Sequence, residues 1–254
     1  MKRILIAAVL LSYAWHPTGN AQAAKGPKIL LAPPPGPISW TIRYSYKKPI
    51  AELVEEKKED LAAKSLEMTD LTRPEKSVFI ISKPLSSRVV NLEGGTKEEA
   101  IYYGDFEFKM SPRGRGVLVS DLKSYPSIEQ LFRTRFPGVD WVKPNLFVKV
   151  EEIYGESCAY FKDGNPEKFD PNSDKMDEIL DASKYEIREA WFSVKTGLPV
   201  AFKSGGTEGK YQFESAENLK VSAPGPIREK INQHAKYMAY IKQREAAASV
   251  GNGS

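Results

Sequence analysis

The chain is short of the residues most often recruited for chemistry. Its 254 residues include one Cys and two His. Zinc and copper sites lean on Cys and His, so neither is expected, and no metal or cofactor is assigned. A Ser–His–Asp triad would have to use His234, since His16 lies in the extreme N-terminal segment. No GxSxG elbow is present to carry a nucleophilic serine. The lone Cys158 cannot form an internal disulfide, which leaves a free thiol or an intermolecular bridge. Its setting, Glu156 to Phe161, reads as a strand, where an unpaired Cys is usually a small buried hydrophobe. Charge of one sign is also missing: 37 Lys and Arg stand against 33 Asp and Glu. Acids and bases are interspersed, without the clustered basic face of a nucleic-acid binder. No apolar run approaches the roughly 20 residues of a membrane-spanning helix.

What is present begins with an export signal. Met1-Lys2-Arg3 is basic, Ile4 to Trp15 is mostly apolar, and Ala21-Gln22-Ala23 supplies a small-x-small cleavage site. That order reads as a secretory signal peptide over residues 1–23, cleaved near Ala23, and implies a periplasmic or secreted protein. Removing Lys2 and Arg3 brings the formal charge from +4 to +2. Residues 24–37 form a Pro/Gly-rich leader, extended because proline fixes φ, which acts as a spacer or lies along the domain.

A single β-rich domain is expected over residues 38–226. Ile38 to Tyr46 alternates without a fault, with Ile38, Trp40, Ile42, Tyr44 and Tyr46 on one face and Ser39, Thr41, Arg43 and Ser45 on the other. Period two marks a half-buried strand with an aromatic inner face. Ile50 to Met68 is charge-dense with a thin apolar stripe and reads as a surface helix. Short strands then follow at 78–81, 88–92, 100–103, 106–110 and 117–119. A short helix is expected over Ser127–Phe132 with Ser127 as N-cap. Further strands fall at 146–154, 157–161, 185–194, 199–203 and 210–214, with a long polar loop over 163–181. Short strands between turn signals predict an antiparallel meander. The fold class is therefore mainly β (α+β): a curved antiparallel sheet or half-barrel, with one helix after the first strand and one at the C-terminus.

Pro224-Gly225-Pro226 separates this sheet from the last element, a helix and tail over residues 227–254. Ile227, Ile231, His234, Met238 and Ile241 are spaced 4, 3, 4 and 3, a narrow apolar seam. The seam packs on the domain or on a partner. Through Ile227, Ile231, Met238 and Ile241 it offers a contact to another envelope protein.

The remaining chemistry signals are thin. Asp170 to Asp174 carries oxygen ligands but lacks the spacing of an EF-hand. Glu98-Glu99 and Glu151-Glu152 are pairs that chance alone supplies in a chain with this many acids. Arg113-Gly114-Arg115-Gly116 lacks the lysine of a phosphate loop. What stands out is aromatic and apolar surface on the strands. Either it is ordinary core, or it lines a concave sheet that holds an apolar ligand. For the second reading the candidate ligand-binding residues are Trp40, Ile42, Tyr44, Phe106, Phe108, Phe147, Trp191 and Phe202.

One segment goes beyond fold class. Glu189-Ala190-Trp191-Phe192-Ser193-Val194-Lys195-Thr196-Gly197-Leu198-Pro199-Val200 resembles a signature of exported half-barrel proteins of the outer-membrane lipoprotein-carrier and lipoprotein-sorting families. There an aromatic strand runs into a TGLP turn. Thr-Gly makes the reversal and Pro opens the next strand. Arg135 to Val142 is also similar to segments of exported bacterial proteins of no assigned activity. The resemblance implies a periplasmic carrier that holds a lipid or acyl chain non-covalently and brings no catalytic residues. The expectation is thus a non-catalytic binding or carrier protein for an apolar ligand. The alternative is a structural or protein-interaction module of the cell envelope that uses its C-terminal helix.

Overall fold

The computed structural model describes residues 27–47, 73–111, 114, 116–124, 128–164, 186–214 and 220–251. The signal peptide expected over 1–23, the charged helix expected over 50–68, the N-cap expected at Ser127 and most of the loop expected over 163–181 lie outside the described residues.

Eleven strands form one antiparallel sheet. They are β1 (Ile38–Tyr46), β2 (Pro74–Ile81), β3 (Leu85–Leu92), β4 (Lys97–Tyr103), β5 (Phe106–Met110), β6 (Val117–Asp121), β7 (Phe147–Ile153), β8 (Glu156–Asp163), β9 (Arg188–Ser193), β10 (Pro199–Ser204) and β11 (Thr207–Glu214). The order across the sheet is β6-β5-β4-β3-β2-β1-β11-β10-β9-β8-β7. The chain therefore walks from the central β1 to one edge, crosses to the other edge, and returns to close against β1. Among the described residues there is one α-helix, α1 (Gly225–Gly251), which starts two residues before the expected boundary and extends through most of the expected tail.

Register assigns the faces. Trp40 lies opposite Phe79 on one side and Phe213 on the other, and these share the inner face with Ile42, Tyr44 and Phe202. Ser39 and Thr41 point to the outer face, yet both are buried. The half-exposed β1 of the sequence pattern is thus buried on both faces at its start. Both sit mid-sheet between paired strands, Ser39 between Ile80 and Glu214 and Thr41 between Val78 and Gln212.

The crossing from β6 to β7 fills the inner face. Residues 128–146 run as a strap, opening with a 3-10 turn at Ile128–Arg133 where a short helix was expected. Phe132, Phe136, Val139 and Val142 of this strap are all buried in the main core. The ring of Phe132 lies 5.1 Å from Tyr102 of β4 and 6.1 Å from Trp40 of β1. Those strands are three intervals apart, about 14 Å in a flat sheet. One ring meets both because the sheet curves round the strap. Farther along, the Phe202 ring sits against Gly138 and Gly209. A Cβ on Gly138 would fall 2.6 Å from that ring, so the strap and β11 both depend on the missing side chain.

The leader lies along the domain. Ile29, Leu30 and Leu31 pack on the main core, and Leu31 O accepts a hydrogen bond from the Phe136 N–H at 3.1 Å. Leu30 N–H donates to Gly197 O at 2.7 Å. Gly197 belongs to the TGLP turn, with φ +73°, and a Cβ there would stand 2.9 Å from Lys28 O. Only glycine meets both demands, a left-handed backbone and a chain passing overhead. Gly197→Ala is expected to cost about 1–2 kcal/mol and to release the leader. Limited proteolysis should then cut between residues 24 and 37 several times faster than in the wild type; an unchanged rate would show that the turn does not hold the leader.

Candidate functional site: the sheet faces and the groove beside the C-terminal helix

The eight residues marked by the sequence do not form one surface. Trp40, Ile42, Tyr44, Phe147 and Phe202 share the inner face and belong to, or pack on, the main core. Trp40 stacks on Phe79 at 5.2 Å and meets Phe136 edge-on at 5.2 Å. Phe147 meets Phe161 edge-on at 5.7 Å, and Tyr44 meets Phe202 at 6.3 Å. These side chains face the strap, so in this structure their partners belong to the chain itself. Phe106, Phe108 and Trp191 project from the opposite face.

Trp191 stands in an outer-face cluster on β7 to β10 with Cys158, Tyr160 and Ala201. It stacks on Tyr160 at 5.2 Å, and its Nε1–H donates to Glu151 at 2.7 Å. Lys149 binds the same carboxylate at 2.7 Å. The Lys149 and Trp191 hydrogen bonds pull Glu151 below the ordinary carboxylate range, the wrong direction for a general acid. Cys158 is fully buried, and desolvation, reinforced by Glu156 and Glu151, pushes its thiol up to about 11. A nucleophilic Cys needs the opposite shift. Among the described residues no group of three His, Cys, Asp or Glu is placed to hold a metal ion. Among the same residues no helix is long and apolar enough to cross a membrane.

Phe106 and Phe108 support α1. Ile227 and Ile231 are buried with Ile101 and Phe108, and His234 packs 4.1 Å from the Phe106 ring centroid. The first half of the apolar seam is therefore spent on the chain's own sheet, while Met238 and Ile241 stay half-buried. Tyr237 and Tyr240, off the seam, are 60% and 56% exposed.

Two open grooves run between α1 and the outer face of β3–β5. One, of about 510 Å³, is walled by Leu85, Tyr103, Val221, Ala223 and Ile231. The other, of about 630 Å³, is walled by Phe106, His234, Met238 and Ala239. Pro84, Tyr103 and Ala235 line both, so the two adjoin. Each lies within the size range of small-molecule sites. Of the eight residues marked by the sequence, Phe106 lines this space. Its walls come from four segments distant in sequence that no short motif links.

The rim is basic. Lys220 and Arg228 close one end, Lys123 and Lys242 the other. Lys123 is held by Asp105 at 2.9 Å. The Arg228 Nη2–H donates to Ala223 O at 3.0 Å, which fixes the guanidinium at the groove mouth.

No protein-family model matches the chain, and no curated protein matches it. Among solved structures, the chain is similar to the lipoprotein LppX of Mycobacterium tuberculosis, at 11% identity and a TM-score of 0.36, over 73% of this chain and 89% of that one. It is also similar to the LolA superfamily protein NE2245 of Nitrosomonas europaea, at 9% identity and a TM-score of 0.30, over 76% of this chain and 90% of that one.

Proposed function

We propose that the mature chain is an exported, non-catalytic binding or carrier protein for an apolar, chain-like ligand such as a lipid acyl chain. The ligand sits in the paired grooves beside α1. The observation that carries this reading is the groove itself: adjoining spaces of about 510 and 630 Å³ walled mainly by apolar side chains. From Arg228 to Lys242 the helix spans about 21 Å at 1.5 Å per residue, a length suited to an extended chain. Phe106 forms part of the wall and Phe108 buttresses it from beneath. Trp40, Ile42, Tyr44, Phe147 and Phe202 act as the core that fixes the sheet's curvature. The export signal expected over residues 1–23 supports a site of action outside the cytoplasm. An envelope partner would meet α1 through Met238 and Ile241 rather than through the buried Ile227 and Ile231.

The test uses the neutral apolar fluorophore N-phenyl-1-naphthylamine on the mature protein. Saturable binding is expected, weakened about tenfold or more by Ala235→Trp, which fills the junction of the two grooves. A near-UV circular dichroism spectrum shows that the variant keeps its fold. Absence of saturable binding in the wild type, or equal binding by the folded variant, would sink the reading.

A further inference from the structure

We infer that the groove selects a single-chain amphiphile with an anionic headgroup, seated at Lys220 and Arg228. This rests on the reading above and names the ligand class. Four of the residues lining the two grooves are Lys or Arg, and one, Asp105, is acidic. That acid is already paired with Lys123. Among the described residues neither Lys220 nor Arg228 forms an ion pair with a carboxylate. The two cations thus line one end of an apolar trough whose described lining holds no carboxylate. Beside a low-dielectric wall a cation's field reaches farther than it does in open water.

Arg228 is built for the task. One N–H is committed to Ala223 O, which holds the planar guanidinium in place. Its remaining donors form the fork that matches a carboxylate or a phosphate. Lys220 adds a second charge from the segment that leads into α1. The opposite end is less demanding, because Asp105 neutralises Lys123 there and leaves Lys242 as its one cation without a carboxylate among the described residues. A ligand with one charged end and one apolar end therefore has a single preferred direction, with its tail passing Tyr103 and Phe106 toward Met238.

Carboxylate and phosphate heads share this chemistry, so the test carries both. Binding of palmitate, of palmitoyl-lysophosphatidic acid and of neutral monopalmitoylglycerol is measured by calorimetry below the micelle concentration of each. The two anions are expected to bind about tenfold tighter than the neutral ligand, the gain of one charge-assisted contact. In K220Q/R228Q the preference is expected to fall to within about twofold while monopalmitoylglycerol binding holds, and R228K should fall between. A larger gain for the lysophosphatidic acid would identify a lipid phosphate as the natural head, and a larger gain for palmitate a free fatty acid. Equal binding of all three by the wild type would overturn the charge selection and leave the apolar groove standing. A preference that survives K220Q/R228Q but vanishes in K242Q would overturn the assigned direction. Failure of all three to bind would end both readings.

Discussion

Phe136→Ala is expected to lower the unfolding free energy by about 3–5 kcal/mol, the usual cost of emptying a large aromatic site in a core. The ring is fully buried. It meets Trp40 at 5.2 Å, Phe213 at 5.7 Å and Tyr211 at 6.1 Å, each edge-on. Its own N–H anchors the leader at Leu31. The neighbours cannot collapse into the space, because Trp40 and Phe213 are held by β1 and β11, which pair along their length. Urea unfolding followed by tryptophan fluorescence reads the loss as a lower midpoint at unchanged slope. The same variant asks what the inner face is for. If the strap is core, the folded variant binds no more N-phenyl-1-naphthylamine than the wild type. If it is a displaceable cover, stability falls by less than about 1 kcal/mol and fluorophore binding rises at the uncovered aromatics.

That distinction marks where sequence reading stopped. Each of the eleven strands was legible, because alternation and turn residues are local signals. Relations between strands were not. Phe106 and Phe108 alternate just as Trp40 and Ile42 do, so the pattern alone puts all four on one surface. Register overrules it. Phe79 faces Arg88, Arg88 faces Ala100, and Ala100 faces Lys109. Lys109, not Phe108, therefore shares the face of Trp40, and a slip of one residue reverses the set. The 4, 3, 4, 3 seam of the helix was also plain, but not the surface that receives it. The buried Ile101 and Phe108 complete the seam only once β4 and β5 are paired. The groove was invisible for a related reason. Its walls come from the start of β3, the β4–β5 turn, Lys123 after β6, and α1 with the residues leading into it, four segments spread over more than half the chain. The strap was not legible either, because Pro137-Gly138 marks a turn but not the sheet face behind it. In the structure it turns the chain where Gly138 admits the Phe202 ring.

Arg88 and Glu107 form the other feature that periodicity could not foresee, a charged pair on an aromatic face. Both are buried. Glu107 accepts the Tyr102 hydroxyl at 2.7 Å and lies 3.1 Å from Lys109 and 4.0 Å from Arg88. Burial, more than any neighbouring charge, pushes the Tyr102 phenol far above its ordinary range, so it remains a neutral donor. Glu107→Leu takes a carboxylate away from the buried Arg88, the partly exposed Lys109 and the Tyr102 hydroxyl at once. The expected loss is about 3–5 kcal/mol, the usual cost of breaking a buried ion pair from one side. Arg88→Met/Glu107→Leu should lose less than Glu107→Leu alone, since removing both charges also removes their desolvation. A double variant at least as unstable as the sum of its singles would show that the two are not coupled. The effect should also reach the ligand groove. Glu107 on the inner face alternates with Phe106 and Phe108 on the outer face of the same strand. Locking β5 to β4 from one side fixes Tyr103 and Phe106 on the other, beside the Gly104–Asp105 turn. Glu107→Leu is therefore expected to weaken N-phenyl-1-naphthylamine binding even where the protein remains folded. Arg88→Met/Glu107→Leu should recover part of that binding as it recovers stability, because both depend on how firmly β5 is held.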